Sequence, residues 1–89
     1  MIPNEGKFLL QFSALWCGPC TALTPVLKKI ATELDVGLEK IDIDEHAKQA
    51  SQFQIRSIPT VILFEDGKPV DQFVGAKNEQ AIRDFIRRD

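Results

Sequence analysis

A small α/β domain built on a four-stranded mixed sheet, with helices on both faces, is the fold class that the 89-residue sequence predicts. Three observations carry it. An almost unbroken apolar run at 7–12 reads as a strand covered on both sides; an apolar stripe at spacings of three and four follows; two further β-prone runs flank Asp66-Gly67-Lys68. The order is βαβ, a short α, then ββα. A single domain over residues 1–89 is expected, because a chain of this size has room for one core and no linker, repeat or low-complexity tract interrupts it.

Lys7 to Phe12 carries Phe8, Leu9, Leu10 and Phe12, so this strand is expected at the centre of the sheet. Leu23, Val26, Leu27, Ile30, Ala31 and Leu34 then place one apolar stripe on a helix of about residues 18 to 35. Pro19 suits its first turn, Pro25 removes a hydrogen bond inside it and predicts a kink, and Gly37 is expected to close it. Leu38 to Asp44 alternates polar residues with Ile41 and Ile43, the pattern of a half-covered strand parallel to the first through a right-handed crossover. Glu45 to Phe53 has Ala47, Ala50 and Phe53 at helical spacing. Thr60–Glu65 and Pro69–Val74 form a hairpin. Asn78 can cap a last helix with Ile82, Phe85 and Ile86 facing inward and Arg83, Arg87 and Arg88 toward the negative end of its dipole.

Eleven Lys plus Arg against thirteen Asp plus Glu leave a net charge of −2, which argues against a nucleic-acid partner held on a basic face. No apolar run approaches a membrane span. Residues 1–6 lack the basic and apolar regions of a secretory signal, so a cytoplasmic location is expected.

Two cysteines, Cys17 and Cys20, stand on either side of Gly18-Pro19. Half of a zinc site is one reading of that spacing, but four ligands are usual and only His46 could join them; His46 reads better as a solvated surface residue. Redox chemistry fits better. A cysteine at a helix N-terminus has its thiolate stabilised by amide donors and the helix dipole, so Cys17 is expected to be the exposed nucleophile and Cys20, one turn in, the buried resolving thiol.

Trp16-Cys17-Gly18-Pro19-Cys20 resembles the active-site pentapeptide of the thioredoxin family, and Ser57-Ile58-Pro59-Thr60 before a strand resembles its second signature. The likeness covers nearly all of residues 7 to 89, with Phe12, Pro25, Lys40, Asp44, Gly67 and Gly75 also in matching places. It implies a minimal thioredoxin fold in which Pro59 is cis and packs beside the nucleophile, with Ile58 backbone groups pairing with an extended substrate. By itself Pro59 would read as an ordinary strand-start proline, and Trp16 as a core residue. The resemblance instead puts Trp16, Gly75 and Ala76 with Ile58 and Pro59 on the rim where substrate lies.

Two departures from the family pattern stand out. Gln11 aligns with the buried carboxylate that usually takes a proton from the resolving thiol, and an amide has no such capacity. Lys40, the usual neighbour of that acid, is then an unpaired near-buried amine that snorkels outward or shifts its pKa. Water is the expected proton acceptor, with Gln11 a hydrogen-bonded core amide; Asp42 and Asp44 are the alternatives. The second departure is length, since only six residues precede the first strand and the family's opening strand and helix have no counterpart. That makes Leu38–Asp44 an edge strand and leaves one sheet face for Ile2 or a second molecule to cover, so a monomer or a weak dimer is expected.

The implied activity is reduction of protein disulfides through a Cys17–Cys20 dithiol/disulfide cycle with no bound cofactor, re-reduced by a thioredoxin reductase. Gly18-Pro19 between the cysteines favours the reductant end of this chemistry and, with Trp16, disfavours a glutaredoxin-like role. A non-catalytic binding subunit using the rim at Trp16, Ile58 and Gly75 is the alternative.

Overall fold

Because both faces of the first strand are apolar, a sheet built around it needs cover on both sides, and the computed structural model, which describes residues 2–88, provides it. The elements are β1 (Lys7–Ser13), α1 (Gly18–Leu34), β2 (Gly37–Asp42), α2 (Ala47–Gln52), β3 (Thr60–Glu65), β4 (Lys68–Val74) and α3 (Glu79–Arg87). The sheet order is β2-β1-β3-β4, with β1 parallel to β2 and antiparallel to β3, and β3 antiparallel to β4. This is the mixed four-stranded sheet that the sequence predicts, with β2 at an edge.

On one face Leu9, Val61, Leu63 and Phe73 meet Leu23, Leu27 and Ile30 of α1 and Ile82 and Ile86 of α3. On the other, Phe8, Leu10, Phe12, Ile41, Ile62 and Phe64 are covered by Ala50, Phe53, Ile55 and Ile58, with Ile2 packed against them. The Phe53 ring lies 5.6 Å from Phe12 and 5.9 Å from Phe64, so a short helix with no fully buried residue anchors this side through one aromatic at its end.

Several boundaries differ from the sequence expectation. Gly37 does not close α1: the helix ends at Leu34, and Asp35, in the left-handed region at φ 56°, turns its amide back to the carbonyls of Ala31 and Thr32. Gly37 opens β2 instead, where a Cβ would run into the Phe8 ring. The strand stops at Asp42, two residues early, because its Oδ1 accepts the amides of Asp44 at 2.8 Å and Glu45 at 3.3 Å and bends the chain. Lys68 belongs to β4, leaving Asp66 and Gly67, at φ 53° and 85°, as a two-residue hairpin turn. Arg83 does not sit at the dipole end of α3; it turns to Glu33 of α1 at 2.7 Å and to Glu79 at 3.2 Å, tying the two helices together.

Candidate active site

Cys17 has the extended backbone of an N-cap, at φ −94° and ψ 105°, and Pro19 follows in the first turn, where its missing amide hydrogen costs nothing. The Cys17 Sγ accepts the Cys20 amide at 3.2 Å. No acidic residue occupies the first turn of α1, so the positive end of the dipole faces the sulfur without competition. Cys17 and Cys20 are joined as a disulfide, with Cα atoms 5.3 Å apart. The expected contrast of exposed Cys17 and buried Cys20 is slight in this oxidised state, at 6% and 1% exposure, because Ala14, Ile43 and Ile58 pack around the pair.

Outside the sulfurs lies an exposed apolar rim. Trp16 is 68% exposed, and its indole Nε1 donates to Asp44 Oδ2 at 2.8 Å, which ties the ring to the turn after β2. Ile58 is half-buried and the Ile58–Pro59 peptide bond is cis. Gly75, at φ 87°, lets its amide reach the Pro59 carbonyl at 2.9 Å, bringing Ala76 and the end of β4 beside the cysteines' end of the sheet. Leu15 and Val74, at 85% and 54% exposure, extend the apolar surface; their exposure in a strand-to-helix turn and on an edge strand leaves no mark in the hydrophobic pattern.

Behind the sulfurs, Gln11 is wholly buried. Its Nε2 donates to Thr24 Oγ1 at 3.1 Å and to the Cys20 carbonyl at 3.3 Å. The Thr24 hydroxyl lies 3.0 Å from that carbonyl and 3.3 Å from Gln11 Oε1, and its single proton serves one of them at a time. The amide is therefore a satisfied core group, bracing β1 against α1 one turn behind Cys20. Thr24 was silent in the sequence, although a hydroxyl four residues after Cys20 on one helix face is the available signal. Lys40, paired with Gln11 across β1 and β2, is exposed and snorkels outward rather than sitting unpaired in the core. His46 is exposed ahead of α2 and makes no side-chain cap. Among the described residues, no three of His, Cys, Asp and Glu come together as a metal site.

The thioredoxin family model matches residues 1–88. Thioredoxin of Mycobacterium tuberculosis is 50% identical over 84 residues, covering 92% of this chain and 72% of its own, and that of Chlamydia trachomatis is 46% identical over 85 residues, covering 94% and 83%. Among solved structures, a single-substitution mutant of the thioredoxin of Halobacterium salinarum superposes with a TM-score of 0.90 at 40% identity, over 96% of this chain and 75% of that one. Thioredoxin of Fasciola hepatica gives 0.86 at 37%, over 96% and 83%. Shared sequence along nearly the whole chain and a shared backbone thus agree with the helix-capped cysteine pair: the chain belongs to the thioredoxin family and is a thiol:disulfide oxidoreductase.

Proposed function

We propose that the chain acts as a single-domain electron carrier in which Cys17 attacks and Cys20 resolves. In the reduced protein the Cys17 thiolate attacks one sulfur of a substrate disulfide; that bond breaks, a mixed disulfide forms and the first substrate thiolate leaves. Cys20, deprotonated, then attacks Cys17 Sγ, the mixed disulfide breaks and the second substrate thiolate leaves. Two electrons pass to the substrate, and the protein is left with the Cys17–Cys20 disulfide.

The observation that carries the role assignment is the Cys17 Sγ held as the N-cap of α1, accepting a backbone amide with no acidic residue in the first turn. Gly18 and Pro19 support this by forming that turn, Gln11 braces Cys20 through its carbonyl, and Lys40 is the register partner of Gln11 on β2. Trp16, Ile58, Pro59, Gly75 and Ala76 form the substrate surface, widened by Leu15 and Val74. An extended peptide lying there would bury apolar area and pair with the backbone at Ile58. A thioredoxin reductase supplies electrons, in the cytoplasm, to a monomer or weak dimer. No described helix is long and apolar enough to cross a membrane.

Insulin reduction with dithiothreitol, run beside a Cys17→Ser, Cys20→Ser double variant, tests the cycle. The parent is expected to hasten precipitation and the variant to give the background rate. Equal rates for the two would leave only a binding role.

A further inference from the structure

The resolving thiol must lose a proton before it attacks, and Cys20 is 1% exposed, so bulk solvent does not reach it directly. Gln11, beside it, is an amide with its hydrogen bonds spent on Thr24 and the Cys20 carbonyl. One further opening reaches this cysteine: a cavity of about 40 Å³ lined by Ser13, Cys20, Thr21, Thr24, Lys40 and Asp42, among others. That volume is large enough to admit a water. Ser13 and Asp42 are register partners across β1 and β2, as are Gln11 and Lys40, so all four side chains share the sheet face that packs on α1.

Among the groups lining this cavity only one is a base near neutral pH. The hydroxyls of Ser13, Thr21 and Thr24 do not take up protons there, and Lys40 is an ammonium. Asp42 is a half-buried carboxylate. Its Oδ1 accepts the amides of Asp44 and Glu45, which fixes the side chain, while Oδ2 has no hydrogen-bond donor among the described residues. The titratable neighbours are Lys40 on β2 and Asp44, Glu45 and His46 in the following turn, of which Asp44 is engaged by Trp16.

We propose that Asp42 is the general base of the resolution step, taking the Cys20 proton through a water held in this cavity, in place of the acid that Gln11 displaces. The proposal rests on the Cys17–Cys20 cycle. Cys20–SH gives its proton to the water, which passes one to Asp42 Oδ2; the Cys20 thiolate attacks Cys17 Sγ, the mixed disulfide breaks, and the substrate leaves as a thiolate. Asp42, being half-exposed, returns the proton to solvent.

Asp42→Asn tests this, because the amide keeps an oxygen for the Asp44 and Glu45 amides and loses only the basicity. Reduced protein is mixed with a disulfide-bonded peptide, quenched in acid at intervals, and the protein–peptide mixed disulfide is followed by mass spectrometry. At pH 7 the variant is expected to release peptide roughly 100-fold more slowly, the low end of what general base catalysis contributes. The gap should narrow toward pH 9, where hydroxide replaces the base, and Gln11→Asp added to Asp42→Asn should restore the rate. An unchanged release rate in folded Asp42→Asn overturns the proposal, and so does a loss that is the same at every pH, which marks a structural defect. If Asp42→Asn fails to fold, the parent's own profile decides: release that simply rises tenfold per pH unit from pH 5 overturns the proposal, and a plateau about neutrality supports it. A parent that never forms the mixed disulfide would defeat the cycle itself, a distinct result.

Discussion

The N-termini of α1 and α3 are built alike and used differently. In each, an extended residue presents a side-chain acceptor to the amide three positions on: Cys17 Sγ to Cys20 at 3.2 Å, Asn78 Oδ1 to Ala81 at 2.8 Å. The α3 terminus then adds Glu79 in its first turn, so its dipole is already met by a carboxylate. The α1 terminus adds Gly18, Pro19 and Cys20, none of them charged when the pair is oxidised. A helix end finished with oxygen acceptors and an acid stabilises the fold; one finished with sulfur and left without an acid has its field free to act on a thiolate. In the proposed cycle the α3 cap serves stability and the α1 cap serves the acidity of Cys17.

Removing the cap at α3 gives the largest effect on stability. Asn78→Ala should cost about 1 kcal/mol, which in a domain of this size lowers Tm by roughly 4–8 °C, while the rate at which iodoacetamide labels reduced Cys17 stays unchanged. Thermal melts and timed alkylation measure the two. A parallel fall in labelling would mean that the helix ends are coupled and the division of labour is wrong.

The converse experiment puts an acid where α1 has none. At Gly18 an added Cβ meets nothing within 4 Å, so Gly18→Asp fits without a clash. A carboxylate there complements the dipole and should hold or raise stability, yet it competes with the Cys17 thiolate for the same field. With about 0.3–1 kcal/mol available at a helix terminus, labelling of Cys17 below its pKa should slow by about two- to fivefold. Iodoacetamide is neutral, so reagent charge does not enter. Faster labelling would show that the dipole is not what activates this sulfur.

What the sequence made legible divides along the same line. Regular elements were readable because β1 and β3 are short continuous apolar runs, the mark of strands covered on both faces, and α1 and α3 repeat their apolar residues at the helical period, while the cysteine pair was readable because its chemistry is local to five residues. Contacts between elements left no such trace. Thr24 reaches Gln11 only because α1 lies across β1, Asp44 reaches Trp16 only because β2 ends early, and that early end depends on an Asx turn at Asp42. Asp35 ended α1 in a left-handed conformation usually given to glycine, so Gly37 was the natural but mistaken stop. Burial of Cys17 likewise follows from Ile43 and Ile58, distant in sequence.

The smallest effect concerns what the acid at the α3 terminus does beyond its own helix. Glu79 meets Lys29 at 3.1 Å and Arg83 at 3.2 Å, and Arg83 meets Glu33 at 2.7 Å, so the first turn of α3 joins an ion-pair chain to α1. The Arg83 hydrogen bond holds the Glu33 carboxyl below its usual range; Lys29, first by hydrogen bond and then by charge, does the same for Glu79; Glu33 in turn raises Arg83. A carboxyl whose pKa is lower folded than unfolded stabilises the fold above its unfolded value, about 4.3 for Glu, and that contribution fades as pH falls through the folded value. The arginine's share, present below its unfolded pKa, stays constant throughout this window. Arg83→Met, which keeps much of the stem's packing, should therefore lower Tm at pH 7 by less than Asn78→Ala does, because exposed pairs are weak in water. The gap between parent and variant should close below about pH 4 and shrink at 1 M salt, where the Debye length is about 3 Å. A gap that persists at low pH and high salt would mean that Arg83 joins α3 to α1 by packing that Met does not reproduce, and not by its charge, leaving Lys29 as the cation through which Glu79 reaches α1.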